Sequence, residues 1–275
     1  MQLNPLWDLG FALVIVATAR WYRDAAQRAG IARWRRRTFA GGLIGLALIT
    51  VGPIAHAAVD NFWIHMVQHV AIMMLLSPAL VLGAPVAAAH GAGGRVGDAI
   101  ERIVGSAPMR LMLRPRVGWV VFAGTVIATH YSPLADAAMG NSSVHSLVIV
   151  LYLVAGLIYY LTLMDGNPLP VSVPHAVRFG SLLAMMVPET MTGFFMYVST
   201  RMLHALPPGA TSAAMPDMAG MAPLTDQRIG GAIMWGVGML IDATWVAVAM
   251  RDWMADERRR AEADDALAAA EGGAR

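Results

Sequence analysis

The sequence contains no cysteine and no lysine among its 275 residues, and charged side chains make up only 14% of it. Without cysteine there can be no disulfides, thiolate metal sites, Fe–S clusters or covalently attached c-type haem. A soft-metal site would have to be built from methionine and histidine, of which the chain has 20 and 8. Without lysine there is no amine for a retinal Schiff base. The chain also lacks His-Glu-x-x-His, Gly-x-Ser-x-Gly and a Walker loop, so intramembrane hydrolysis and ATP-driven transport have no chemical basis. Nothing here reads as an enzyme.

What fills the sequence instead is apolar surface. Hydrophobic residues account for 57% of the chain and the mean hydropathy is +0.55. About 20 apolar residues cross the hydrocarbon core of a bilayer, and seven such runs can be drawn, roughly 6–19, 39–59, 62–86, 117–134, 144–164, 176–200 and 229–250. The expectation is an all-α polytopic membrane protein: a seven-helix bundle over 1–250 and a charged cytoplasmic tail over 251–275. Between the third and fourth runs, Val96, Ile100, Ile103 and Val104 recur at helical spacing among arginines, which predicts a helix on the membrane surface over about 94–113. There is no basic region ahead of the first run, so no cleavable leader is expected.

Arginine placement predicts the orientation. Eighteen of the twenty arginines fall on one set of alternate connections and the tail, leaving Arg201 and Arg228 on the other. Cytoplasmic loops collect positive charge, which puts the N-terminus outside and the C-terminus inside. The basic pI near 9.3 is then a topology signal, and no nucleic-acid partner is implied.

On this reading His56, His65, His69, His130, His145 and His204 lie at the outer ends of spans or in outer loops, with His90 and His175 on the cytoplasmic side. In the run His65-Met-Val-Gln-His69-Val-Ala-Ile-Met73, residues four apart share one face of a helix. Two imidazoles and a thioether at that spacing suit a soft ion such as Cu(I); the bland alternative is interfacial polar residues with methionine as filler. An outer loop over about 201–228 carries His204, Met215, Met218 and Met221 in a segment too polar and glycine-rich to be core. Its methionines read as a Cu(I)-collecting device or as a cap on the bundle. Two acids lie within spans: Glu189, with Met185, Thr192 and Met196 on its face, and Asp242, with Trp235 and Met239. Buried ionisable groups face a bundle interior and a partner, so these two suit either a cation or proton path or a protonated packing contact.

Three ordered motifs resemble the CtaG family of cytochrome c oxidase assembly factors. They are His65-Met-Val-Gln-His69 with Met73-Met74 and Leu80-Val-Leu-Gly-Ala-Pro85; His130-Tyr-Ser-Pro leading to Asn141-Ser-Ser-Val-His145; and Asp226-Gln-Arg-Ile-Gly-Gly231-Ala-Ile-Met-Trp235. The resemblance covers roughly residues 40–250. It implies a multi-pass protein of the bacterial plasma membrane that assists assembly of a haem–copper oxidase and delivery of its copper. Its partners would be oxidase subunits and other copper chaperones. The transferable positions are His65, His69, His130, His145, Asp226 and Gln227. One departure is that a further polar or histidine residue is expected within a turn after His145, where this chain has Leu147, Val148 and Ile149. With neutral imidazole as the binding form, copper affinity should fall below about pH 6. Alternatives are a b-type cytochrome with haem held by two of these histidines, a metal-free assembly scaffold, and a permease using Glu189 and Asp242.

Overall fold

The computed structural model describes residues 5–51, 53–203 and 222–272, and every regular element among them is helical. His204, Met215, Met218 and Met221 lie outside the described residues. The chain opens with α1 (Pro5–Arg28) and α2 (Arg33–Thr50), followed by α3 (Pro53–Asp60) and α4 (Phe62–Val70). After α4 the helix widens into a π-helical segment, Ala71–Leu76, then returns to α5 (Ser77–Leu82). Next come α6 (Pro85–Ala92), α7 (Gly94–Gly105), α8 (Ala107–Met112), α9 (Pro115–Tyr131) and α10 (Pro133–Gly140). The rest is α11 (Ser142–Leu163), α12 (His175–Val198), α13 (Pro223–Ala232), a second π-helical segment at Ile233–Val237, and α14 (Gly238–Gly272).

Local chemistry marks the breaks. Proline opens α6, α8, α9, α10 and α13 within their first two positions, where its missing N–H and fixed φ cost nothing. Asn141 caps α11, its side-chain oxygen accepting from the N–H groups of Ser143 and Val144 at 2.9 and 3.2 Å. The bend between α5 and α6 puts Ala84 in the left-handed region at φ 55°. That bend is held from three directions. Tyr22 Oη donates to Gly83 O at 2.5 Å, Arg35 Nη1 to Leu82 O at 2.9 Å, and Asn167 bridges Val81 O and Val86 N, both at 3.0 Å.

Each π segment shifts the i→i+4 ladder to i→i+5, and the carbonyls it displaces need donors when buried in an apolar interior. Ser77 Oγ supplies one to Ile72 O at 2.8 Å. The indole of Trp245 supplies another, donating to Met74 O at 2.8 Å. Gly156 of α11 permits the close approach of this segment, since a Cβ there would lie 2.4 Å from Ser77 Oγ. The core around it is built from Phe122, Tyr152, Tyr159 and Tyr160, all essentially inaccessible.

Four helical stretches among the described residues are long and apolar enough to cross a membrane: Phe62–Ala92, Ser142–Leu163, His175–Val198 and Pro223–Ala266. The remaining runs of the seven expected are shorter or more polar. α9 has only 17 residues, α2 begins with Arg33, Arg35, Arg36 and Arg37, and α1 carries Asp8, Arg20 and Arg23.

Candidate functional site

His65 and His69 stand in α4, one turn apart, with ring centroids 3.8 Å from each other. His145, from the first turn of α11, brings its ring to 4.8 Å from that of His65. His130, from the last turn of α9, lies 5.5 Å from His69. The four imidazoles therefore form one contiguous row in the order His145, His65, His69, His130. None is more than 5% exposed. Three helices meet here because the relevant ends coincide: the N-termini of α4 and α11 and the C-terminus of α9.

The outer two rings have assigned orientations. His130 Nδ1 lies 2.6 Å from Val126 O, and a carbonyl only accepts, so this nitrogen carries the proton and the lone pair is on Nε2. His145 Nε2 lies 3.2 Å from Gln68 Oε1. The Gln68 amide is in turn fixed by its Nε2 donating to Ile49 O at 2.5 Å, which leaves the His145 lone pair on Nδ1. Donation of one ring N–H to an amide carbonyl is the bond that sets tautomer and ring angle in metal-ligating histidines. Tyr152 closes the row from below, its ring 4.1 Å from His69 and its hydroxyl donating to Thr129 Oγ1 at 2.5 Å.

The convergence is not a closed ligand set. Among the described residues, no group of three or more His, Asp or Glu side chains is arranged to hold a metal ion. Met73 is buried at 3% and falls inside the first π segment. Two residues beyond the sequence-derived set belong to the site. Gln68 lies inside the His-Met-Val-Gln-His motif. Tyr152 is seven positions after His145 on the same face of α11, and supplies the polar group that Leu147, Val148 and Ile149 do not.

Asp226 and Gln227 hold the frame rather than the row. The two Asp226 carboxyl oxygens accept from the N–H groups of Phe62 and Trp63, each at 2.8 Å, capping the helix that carries His65 and His69. Gln227 accepts from Leu203 N–H at 2.8 Å and donates to Arg201 O at 3.2 Å, tying down the chain where it leaves α12. Just below, α13 and the π segment after it cross α12 at backbone contact; a Cβ on Gly193 would sit 2.8 Å from Gly231 O and 2.5 Å from Trp235 N.

The Asp226–Trp235 motif at this crossing, the histidines of α4, α9 and α11, and the spans between them are matched by one family. The sequence matches the cytochrome c oxidase caa3 assembly factor family (Caa3_CtaG) over residues 12–256. The chain belongs to that family. It is 26% identical to an uncharacterized protein of Mycobacterium leprae, ML1998, over 232 residues, which is 82% of this chain and 35% of the relative. An uncharacterized Mycobacterium bovis protein, Mb0105, is 24% identical over 215 residues, covering 74% of this chain and 32% of its own length. The chain spans about a third of the curated relatives it matches. No solved structure matches it. The family is described as one of cytochrome c oxidase caa3 assembly factors, and the four long apolar helices of the described residues fit a membrane setting.

Glu189 and Asp242 form a second buried polar site, in the middle of α12 and near the start of α14. They are 4% and 3% exposed, and Glu189 Oε2 and Asp242 Oδ2 have no hydrogen-bond partner among the described residues. Met185, Thr192 and Met196 are buried on the Glu189 face as expected, whereas Met239 sits at the edge of the Asp242 face, 39% exposed.

Proposed function

We propose that this assembly factor handles copper for the oxidase. In this reading Cu(I) is cargo, gathered at the outer membrane face and held transiently by the histidine row before transfer. The observation that carries the reading is the convergence of four buried imidazoles from three helices, two of them oriented by carbonyl acceptors. Cu(I) accepts low coordination numbers and is suited by imidazole and thioether ligands, so a row of rings without a closed ligand cage fits a site that must release its ion. His204, Met215, Met218 and Met221, which precede α13, are the proposed collecting segment. The bundle is proposed to cross the bacterial plasma membrane seven times, N-terminus outside. Helices α1, α2–α3, α4–α5, α9, α11, α12 and α13–α14 are the supporting elements, one for each apolar run.

The test is Cu(I) titration of the purified full chain against a competing chelator, alongside oxidase activity in cells. His65→Ala with His69→Ala is expected to weaken copper binding by roughly 10- to 100-fold, the scale of lost ligand-shell contacts, and to lower oxidase activity. Copper binding and oxidase activity that are both unchanged would remove the site assignment.

A metal-free scaffold is the second reading, favoured by the row's not closing into a set of three ligands placed to hold one ion among the described residues. It predicts reduced oxidase activity in the double variant with no copper bound by either protein. An absorption spectrum without a Soret band separates both readings from a b-type cytochrome.

A further inference from the structure

A cavity of about 350 Å³ opens between α1 and α2, beside the turn that joins them. Its polar rim is formed by Arg23, Arg33, Arg36 and Arg37, and no acidic residue lines it. Arg23 is paired with Asp24 at 3.2 Å. Among the described residues, no carboxylate pairs with Arg33, Arg36 or Arg37, and the buried Nε of Arg36 has no hydrogen-bond acceptor. The first turn of α2 adds to the positive field, since Ala32 offers no side-chain cap and the turn contains no acid. Charges of one sign collected in a cavity destabilise one another unless an anion answers them.

The opposite wall is apolar. Tyr22 and Phe39 stack at 3.6 Å to close the floor, and Ala19, Ala40 and Leu43 line the side. From Ala40 an exposed apolar track continues along α2 through Ile44 and Leu48, 62% and 56% exposed. From Ala19 a matching track runs along α1 through Val16, Leu13 and Leu9. Head and tail requirements are thus met in one place. Guanidinium groups bind phosphate oxygens in bidentate fashion, and the tracks suit acyl chains lying against the bundle.

We propose that this cavity is a binding site for an anionic phospholipid, its phosphate held by Arg33, Arg36 and Arg37 and its chains lying along α1 and α2. Basic pockets between helices at the arginine-rich membrane face take such headgroups. The site stands at the opposite end of the bundle from the histidine row and is independent of copper.

Native mass spectrometry of the detergent-solubilised full chain, titrated with phosphatidylglycerol or phosphatidylcholine, tests it. Phosphatidylglycerol is expected to be retained in preference. Combined Arg33→Gln, Arg36→Gln and Arg37→Gln should weaken its binding by roughly tenfold or more. Arg258→Gln with Arg259→Gln and Arg260→Gln removes the same charge from the tail and should leave binding unchanged. Ala40→Trp, which fills the cavity without altering charge, should weaken binding like the triple variant and decides the matter if that variant does not fold. Equal retention of the two lipids, or unaltered binding by Ala40→Trp, would overturn the proposal. Displacement of the lipid by millimolar inorganic phosphate would also overturn it, identifying a free-anion site instead.

Discussion

Asp226 shows how a single side chain can govern a site it does not enter. It stands in the first turn of α13, yet its carboxyl oxygens receive the first N–H groups of α4, 2.8 Å away in both cases. Those groups have no intrahelical partner, and the pair sets where α4 starts and how it is rotated. His65 follows within the first turn, so the cap fixes the position of the row. Asp226→Ala strands one buried and one part-buried donor at about 1–3 kcal/mol each and is expected to lower the Tm of the detergent-solubilised protein by roughly 5–10 °C. Asp226→Asn, which keeps an acceptor oxygen, should lose less. Thermal unfolding of the two variants side by side checks the order; equal Tm values would mean that the cap carries no net stability. Gln68 acts similarly at smaller scale, accepting from His145 while donating to Ile49 O.

At the scale of elements, the two π segments decide what could be read in advance. Spacing by fours held through α4, which is why His65 and His69 were identifiable as neighbours from their order alone. At Met73 the ladder enters a π segment, and nothing in Ala71-Ile-Met-Met-Leu-Leu76 announces an i→i+5 turn. That segment is stabilised by Ser77 and Trp245, and Trp245 lies 171 positions from the carbonyl it serves. In the sequence alone, a shared position at outer span ends puts His130 and His145 at the depth of His65 and His69 but does not set them beside those rings. Their hydrogen bonds to Val126 O and Gln68 depend on rotations that no periodicity encodes. The crossing of α12 over α13 is a similar case, legible only as Gly193 and Gly230-Gly231. A Cβ on Gly193 would meet backbone at 2.5–3.0 Å, whereas one on Gly124 of α9 would meet nothing within 4 Å. Gly193→Ala should therefore lower the unfolding temperature. Gly124→Ala should raise stability by about 0.5–1 kcal/mol through helix propensity alone. Thermal unfolding reads both, and a stabilising Gly193→Ala would mean that the helices can separate without loss.

Across the whole molecule the bundle has two chemically distinct ends. At one, Asp226 joins α13 to α4, Gln227 joins α13 to the segment after α12, and the four imidazoles collect beneath. At the other, arginines are themselves structural. Arg35 donates to Leu82 O and Asp165 O, and Arg178 pairs with Asp165. These contacts assign Leu203 to the histidine end. Arg35, the α1–α2 turn and the segment following α11 share the arginine end, to which the orientation rule gives the cytoplasm. Reporter fusions test this without reference to copper. Alkaline phosphatase placed after Leu203 should be active, and the same enzyme placed after Ser106, between α7 and α8, inactive; green fluorescent protein at the two positions should give the reverse. Activity at Ser106 and none at Leu203 would turn the histidine row toward the cytoplasm. Copper collection at the outer face would then be impossible for this bundle, whatever affinity the row has for the ion.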